Sequence, residues 1–143
     1  MKLEVSQVID RPPAEVFRFI ATNHVQNHPR WDPKMELRQL TEGPIGVGTV
    51  IHRRHTHSGA PQEGTMEVIE FSPPDAFGMV IRDGTMEMHS RMTFEPHGQN
   101  ATLITGSLDI PSMPEPMDPA PIRQSMHRMK ELIESESAGG LGG

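Results

Sequence analysis

The segment TMEMHSRMTFEP, residues 85–96, alternates between two kinds of side chain. One set is mostly apolar and comprises Met86, Met88, Ser90, Met92 and Phe94. The residues between them are polar or charged. Because successive side chains of a β-strand point to opposite faces of a sheet, this alternation predicts a strand with one buried and one solvated face. The apolar face of such a sheet needs a second layer to cover it.

Six further segments are predicted to be strands, with turn residues between them. Asp83 and Gly84 form a hairpin signal directly before the segment quoted above. The other predicted strands cover residues 3–10, 34–41, 47–57, 65–71, 76–82 and 101–111. Together the seven strands predict a curved antiparallel sheet.

Helical periodicity occurs on both sides of the main run of strands. Pro12 and Pro13 end the first strand and favour a helix over 13–22, and a second short helical segment is predicted to end at Pro29. Asp118 is the expected N-cap of a longer C-terminal helix. The apolar stripe of that helix, at spacings of four, three and four, comprises Ile122, Met126, Met129 and Ile133. The fold class is therefore predicted to be α+β, with the sheet wrapped around the last helix.

Size and composition limit the possible functions. The 143 residues suit a single domain, predicted over 1–135, and the tail at 136–143 is expected to be disordered. A formal charge of −6 argues against nucleic-acid binding, which needs a basic surface. The absence of cysteine excludes disulfides and thiolate sites. No run of about 18 apolar residues could span a membrane, and a cytoplasmic location is expected.

Several segments, in order, resemble the SRPBCC proteins, the START-like superfamily often named for polyketide cyclases and dehydrases. The segments are RPPAEVFRFIA, PRWDP, GPIGVGT, VIEFSPPDAF and FEPHGQNATLIT. The resemblance covers about residues 3 to 135. It implies a helix-grip fold of the Bet v 1 type, in which seven strands grip the C-terminal helix around an apolar cavity, with two short helices after the first strand. This chain departs from the family in having no tyrosine and in the proline-rich segment at 111–121.

The resemblance implies binding of lipids, polyketides or other hydrophobic molecules, and in a minority of members cyclisation, dehydration or hydrolysis. The family has no single catalytic signature to transfer to this chain. The eleven methionines suit an adaptable cavity wall, although they would also suit a filled core. Residues expected to line the cavity are Trp31, Met66, Met79, Met86, Met88, Ser90, Met92, Met126 and Met129. For Trp31 the main expected role is packing, and for Ser90 a hydrogen-bonded place in the core is the alternative.

The histidine-rich segment IHRRHTHSG is predicted to be a solvated strand end. His55 and His57 share one face, but Arg53 on that face would repel a cation, so no metal or other cofactor is expected. Proton transfer is a second possibility, because a buried histidine beside a carboxylate can act as a general base. The candidates that could face the cavity are His52, His24, His28 and Asp32, with Arg82 and Arg30 as possible partners for an oxyanion.

Three hypotheses remain open from the sequence. The leading one is a protein that binds a hydrophobic small molecule, of lipid or polyketide/aromatic type, without altering it. The second is a cyclase- or dehydratase-type enzyme acting on a carbonyl compound in the same cavity. The third is an interaction module that works through its surface, with protein partners that the sequence does not identify.

Overall fold

The structure is a computed structural model that describes residues 1–114, 116 and 118–136. Its strands are β1 (Lys2–Ile9), β2 (Met35–Gln39), β3 (Val50–His55), β4 (Gln62–Ser72), β5 (Ala76–Asp83), β6 (Met86–His97) and β7 (Ala101–Asp109). Its helices are α1 (Pro13–Phe17), a π-helical turn (Arg18–Thr22), α2 (His24–Trp31) and α3 (Ala120–Glu136). The fold is the predicted α+β helix-grip arrangement.

All neighbouring strands pair antiparallel in the order β1-β7-β6-β5-β4-β3-β2. Directly paired residues of such a ladder point to the same face of the sheet. Ser90 of β6 lies opposite Met79 of β5, and the next inward pair is Met88 with Ile81. This register places the apolar set of β6 on the concave face, as the alternation predicted.

Helix α3 lies over the concave face through its predicted apolar stripe. Met126, Met129 and Ile133 are buried, and Ile122 is half-buried. The Asp118 carboxylate accepts a hydrogen bond of 3.0 Å from the Ala120 N–H, in agreement with its predicted role at the helix start. Among the described residues, no helix combines the length and the apolar character that crossing a membrane requires.

Several element boundaries differ from the predictions by one to three residues, among them the starts of β3 at Val50 and of β4 at Gln62. Helix α2 continues through Pro29 to Trp31, because the Asp32 N–H still donates to the His28 carbonyl and only the bond that Pro29 cannot donate is lost. Strand β3 runs over Val50–His55 and leaves His57 in the following turn.

The C-terminal boundary also differs. Helix α3 includes Glu136, whose carboxylate pairs with Arg30 of α2, so this residue belongs to the fold rather than to the predicted tail. The rest of that tail, residues 137–143, lies outside the described residues, as do residues 115 and 117 of the proline-rich segment.

Candidate functional site

The concave face of β6 changes character along the strand. Met86, Met88, Ser90 and Met92 are half-buried although they point towards the interior, and these four residues are called the methionine face below. Phe94, two residues further on, is only 1% exposed. Leu108 and Leu3, which continue the Ser90 row across β7 and β1, are also half-buried. The interior is therefore less completely covered at the end of the sheet where β6 begins.

The other residues predicted to line the cavity are packed into the core. Met66, Met79, Met126, Met129 and Trp31 are all buried. Their burial matches the alternative that some methionines act as core filler. A Cβ at Gly106 would come within 2.7 Å of Met126 Cε and 3.8 Å of Met92 Cε, so the missing side chain makes room for these two methionines to pack.

Two surface grooves are lined mainly by residues outside the methionine face. One, of about 470 Å³, crosses the convex face of the sheet, where it is lined mainly by outward-facing residues such as Ile69 and Arg91, and it also reaches Ser90, Leu3 and Leu108. The other, of about 360 Å³, lies between α1, the π-helical turn and Pro73–Pro74. The methionine face is therefore a half-covered apolar surface under α3, and none of its methionines lines either groove.

Beside the methionine face lies a row of buried polar residues, called the polar row below: Arg53, His55 and Asp83. Arg53 and His55 are 6% and 7% exposed, and the Asp83 side chain is 8% exposed. His55 Nε2 lies 3.0 Å from Asp83 Oδ2, and Arg53 Nε lies 3.4 Å from Asp83 Oδ1. Asp83 pairs directly with Met86 across the β5–β6 ladder. The polar row and the methionine face therefore adjoin on one concave surface.

A glycine lets the polar row span three strands. Gly64 of β4 pairs with Arg53 of β3 and lies between that residue and Asp83 of β5. A Cβ at Gly64 would come within 2.0 Å of Asp83 Oδ1 and 2.1 Å of the Arg82 carbonyl oxygen. Only glycine leaves space here for the carboxylate to reach across β4 towards the guanidinium.

Three buried atoms of the polar row have no hydrogen-bond partner among the described residues: Arg53 Nε, His55 Nδ1 and Asp83 Oδ1. The contact between Arg53 and Asp83 is thus an ion pair without a well-aligned hydrogen bond. Burial lowers the pKa of the Arg53 guanidinium, and the negative charges of Asp83 and Asp32 oppose that shift. Buried polar groups are usually hydrogen-bonded, so this arrangement is unusual.

Helix α2 adds two neutral histidines to this end of the molecule. His24 Nδ1–H donates to the Ile20 carbonyl at 2.8 Å, so its Nε2 accepts from His28 Nδ1–H at 2.9 Å. The His28 ring stacks on Trp31 with centroids 5.2 Å apart. Burial lowers the pKa of His24 to about 4. The pKa of His28 is lowered well below its usual value by burial and by the charges of His24, Arg53 and His57.

The candidates for proton transfer separate into two groups. His24, His28 and Asp32 lie at the interior end just described, where Asp32 Oδ2 is 2.9 Å from Nε2 of the half-exposed His57. Arg30, by contrast, is exposed and pairs with Glu136. His52 and Arg82 lie on the convex face, so the expectation that they could face the cavity is wrong.

His52 and Arg82 point outward because successive side chains of a strand alternate between the two faces of the sheet. His52 pairs with Glu63 at 3.2 Å, and Arg82 pairs with Glu67 and Glu87. The residues next to them, Arg53 and Asp83, point inward instead. The prediction of a solvated strand end is likewise wrong for Arg53 and His55.

Sequence reasoning thus missed the polar row. Because alternate residues of a strand point to the same face, Ile51, Arg53 and His55 of β3 point the same way. An inward-pointing Ile51 would therefore have indicated that Arg53 and His55 also point inward. Asp83 was interpreted only as part of a turn. Among the described residues, no group of three or more histidine, aspartate or glutamate side chains is arranged to hold a metal ion.

Comparison with protein families decides the membership of the chain. The model of the family described as "Polyketide cyclase / dehydrase and lipid transport" matches residues 1–142. The chain belongs to this family. The family and the fold fit the binding of hydrophobic molecules or roles like those of polyketide cyclases. No curated protein matches the chain.

Solved structures with a similar fold include proteins that are named for different activities. Norcoclaurine synthase from Thalictrum flavum, in complex with dopamine and hydroxybenzaldehyde, is 14% identical with a TM-score of 0.74, over 94% of this chain and 87% of that one. A START superfamily protein from Mycobacterium smegmatis is 11% identical with a TM-score of 0.74, over 94% and 97%. The di-domain ARO/CYC protein BexL is 20% identical with a TM-score of 0.72, over 94% of this chain and 46% of that one. At these identities the likeness shows the fold alone.

Proposed function

We propose that this protein binds a hydrophobic small molecule, of lipid or polyketide/aromatic type, between the sheet and α3. The observation that supports this function is the methionine face, an inward-pointing apolar surface that the fold leaves half-covered. Binding sites for small molecules are mostly apolar, with a few polar groups that fix orientation. The methionine face supplies the apolar surface, and the adjoining polar row supplies the polar groups.

The chemistry of methionine suits an opening of variable shape. Its unbranched side chain turns about three bonds, so it can move aside for ligands of different outline. Covering such side chains contributes roughly 25 cal/mol for each Å² of apolar surface removed from water. A ligand that lies along Met86 and Met88 would gain this contribution because both residues remain half-buried in the structure.

Uptake of a neutral apolar dye tests the proposal. N-phenylnaphthylamine is expected to become fluorescent when titrated with the wild-type protein, since its emission rises in apolar surroundings. Met88→Arg is expected to weaken dye binding by about 100-fold, because a guanidinium on the apolar face must be desolvated when the dye binds. The matched control is His89→Arg, which places the same side chain one residue away on the exposed face of β6.

Thermal unfolding is measured alongside, to confirm that both variants are folded. The control is expected to bind the dye as the wild type does. Equal dye binding by folded Met88→Arg would contradict the proposed position of the site.

A second candidate is a cyclase- or dehydratase-type enzyme acting on a carbonyl compound. The observation behind it is the His24–His28 pair, whose rings are neutral at pH 7, although the lowered pKa values make both rings weaker bases than an ordinary histidine. A neutral imidazole can accept a proton, and His28 Nε2 is the nitrogen of this pair that the hydrogen bond between the two rings leaves free to do so.

Deuterium exchange at the central carbon of acetylacetone, followed by NMR in D₂O, tests this activity. The wild type is expected to accelerate exchange, and His28→Gln is expected to remove the acceleration. The exposed-face variant His89→Gln is the control. A rate with the wild type equal to that of protein-free buffer would contradict the enzymatic function.

A further inference from the structure

We propose that the polar row, Arg53, His55 and Asp83, is a binding site for a neutral hydroxyl group, so that the ligand is an apolar molecule bearing an alcohol or phenol. This inference rests on the proposed function, because the apolar body of the ligand would lie on the methionine face. It adds the chemical class of the polar group, which neither the family nor the fold assigns.

The unpartnered atoms of the row define which group it can accept. Asp83 Oδ2, as a carboxylate oxygen, accepts from His55 Nε2–H, and a ring that carries its single proton on Nε2 offers Nδ1 as an acceptor. Asp83 Oδ1 and Arg53 Nε face each other at 3.4 Å, and neither makes a hydrogen bond among the described residues, so the row also holds an unused acceptor and an unused donor. A hydroxyl group donates one hydrogen bond and accepts others. It therefore matches a site that offers both a donor and acceptors.

The charges of the row disfavour an anionic ligand. The guanidinium of Arg53 already faces the carboxylate of Asp83 at 3.4 Å, and Asp32 also acts on it electrostatically. Two carboxylates thus accompany one buried guanidinium. A ligand carboxylate would place a third negative charge in this poorly solvated region, where charge is costly to bury. A neutral hydroxyl avoids that cost.

The position of the row allows one molecule to contact both surfaces. Asp83 is the direct cross-strand partner of Met86, so the two side chains adjoin on the concave face. Because Gly64 has no side chain, the Asp83 carboxylate can lie across β4 towards Arg53. An apolar ring that lies along Met86 and Met88 can therefore place a hydroxyl group at Asp83 and Arg53.

Three compounds with one ring system separate the apolar and polar contributions to binding. They are naphthalene, naphthol and naphthoate, the last two substituted at the same ring position, and their Kd values are measured by isothermal titration calorimetry. The wild type is expected to bind naphthol at least about 10-fold more tightly than naphthalene, since a hydrogen bond to a charged group contributes that much. Naphthoate is expected to bind less tightly than naphthol.

The double variant Arg53→Met/Asp83→Leu is expected to bind naphthalene and to lose the preference for naphthol. Replacing both members of a buried ion pair with apolar residues usually preserves folding, whereas removing one leaves an unpaired charge. The control is Arg54→Met/Glu36→Leu. It removes an exposed ion pair next to Arg53 in sequence, in which Arg54 Nη1 lies 3.2 Å from Glu36 Oε2. This control is expected to keep the preference.

A second variant tests the charge argument without a change of side-chain shape. Asp83→Asn removes one negative charge, so it is expected to improve naphthoate binding several-fold relative to naphthol.

The outcomes distinguish the inference from the proposed function. Equal Kd values for naphthol and naphthalene in the wild type, or a preference that survives in the folded double variant, would overturn the inference alone. Tightest binding of naphthoate by the wild type would overturn the choice of a neutral hydroxyl. Failure of the wild type to bind any of the three compounds would overturn both.

Discussion

The two ends of the sheet–helix interior are built from different side chains. At one end Phe17 packs edge-on against Phe71 and Phe94, with ring centroids 5.3 Å and 5.1 Å away. At the other end the inward residues of β6 are methionines that remain half-buried. Phe71 and Phe94 belong to the same concave face as the methionines, and Phe17 of α1 packs on them, so the difference between the two ends arises from side-chain shape and coverage.

This difference assigns separate roles to the two ends. Rigid rings that meet edge to face fill space closely and gain from their contacts, so the phenylalanine end stabilises the fold. Flexible, half-covered methionines contribute less to stability and leave a surface that a ligand can cover. Substitutions at the phenylalanine end should therefore reduce stability more than binding. Substitutions at the methionine end should reduce binding more than stability.

The largest effect is expected for Phe94→Ala. Truncating this buried ring should lower the free energy of unfolding by about 4 kcal/mol, because it removes buried apolar surface and leaves a cavity. Urea denaturation measures the loss. At temperatures where the variant is folded it should bind N-phenylnaphthylamine as the wild type does. A loss below about 1 kcal/mol would show that the phenylalanine end is not the stabilising one.

Gly64→Ala is expected to have the next largest effect. The new methyl group would overlap both Asp83 Oδ1 and the Arg82 carbonyl oxygen, and the backbone oxygen cannot turn away. We expect a loss of about 3 kcal/mol in unfolding free energy. Gly46→Ala is the control, because a Cβ there has no heavy atom within 4 Å. Equal stability of the two variants would show that the polar row does not depend on the space at Gly64.

Acid should destabilise the protein through the histidines of α2, of which His24 has its ring centroid 5.3 Å from that of Phe77. Between pH 6.5 and about 4 the unfolded chain binds a proton at His24 that the folded protein does not bind. Stability from this group is thus fully present above pH 6.5 and falls by about 1.4 kcal/mol per pH unit below it, or about 2 kcal/mol by pH 5. The lowered pKa of His28 acts in the same direction.

Urea denaturation at several pH values measures this slope. His24→Gln should reduce the slope, whereas His89→Gln, at an exposed position, should leave it unchanged. An unchanged slope in folded His24→Gln would contradict a buried, neutral His24.

The smallest effect is expected for Met88→Ala. Because this side chain is half-buried, its truncation should lower the unfolding free energy by only about 1 kcal/mol, well below the loss at Phe94. The same urea denaturation measures it. A loss as large as that of Phe94→Ala would show that the methionine end is an ordinary filled core.

Much of the fold was predictable because periodicity reports which face a residue occupies. The alternation over 85–96 correctly placed the methionines inward, and the stripe of α3 correctly placed Met126 and Met129. The degree of burial was harder to predict from the sequence. The pattern did not separate the buried Met66 from the half-buried Met88, because the coverage of each side chain depends on how α3 lies over the sheet.

The polar row was the larger omission. Arg53 and His55 look like surface residues, and only their pairing through Gly64 with Asp83 makes their burial possible. That pairing joins strands whose register the sequence does not specify residue by residue. A turn residue such as Asp83 is also not expected to point into the interior.

The most direct test of ligand binding at the methionine face is NMR of the protein with ¹³C-labelled methionine methyl groups. Naphthalene is added, and the shift of each assigned methyl signal is followed together with its nuclear Overhauser effects to the ligand. The account predicts that Met86, Met88 and Met92 show the largest changes and contact the ligand. Saturable binding of naphthalene that leaves these three methyl groups unchanged would contradict it.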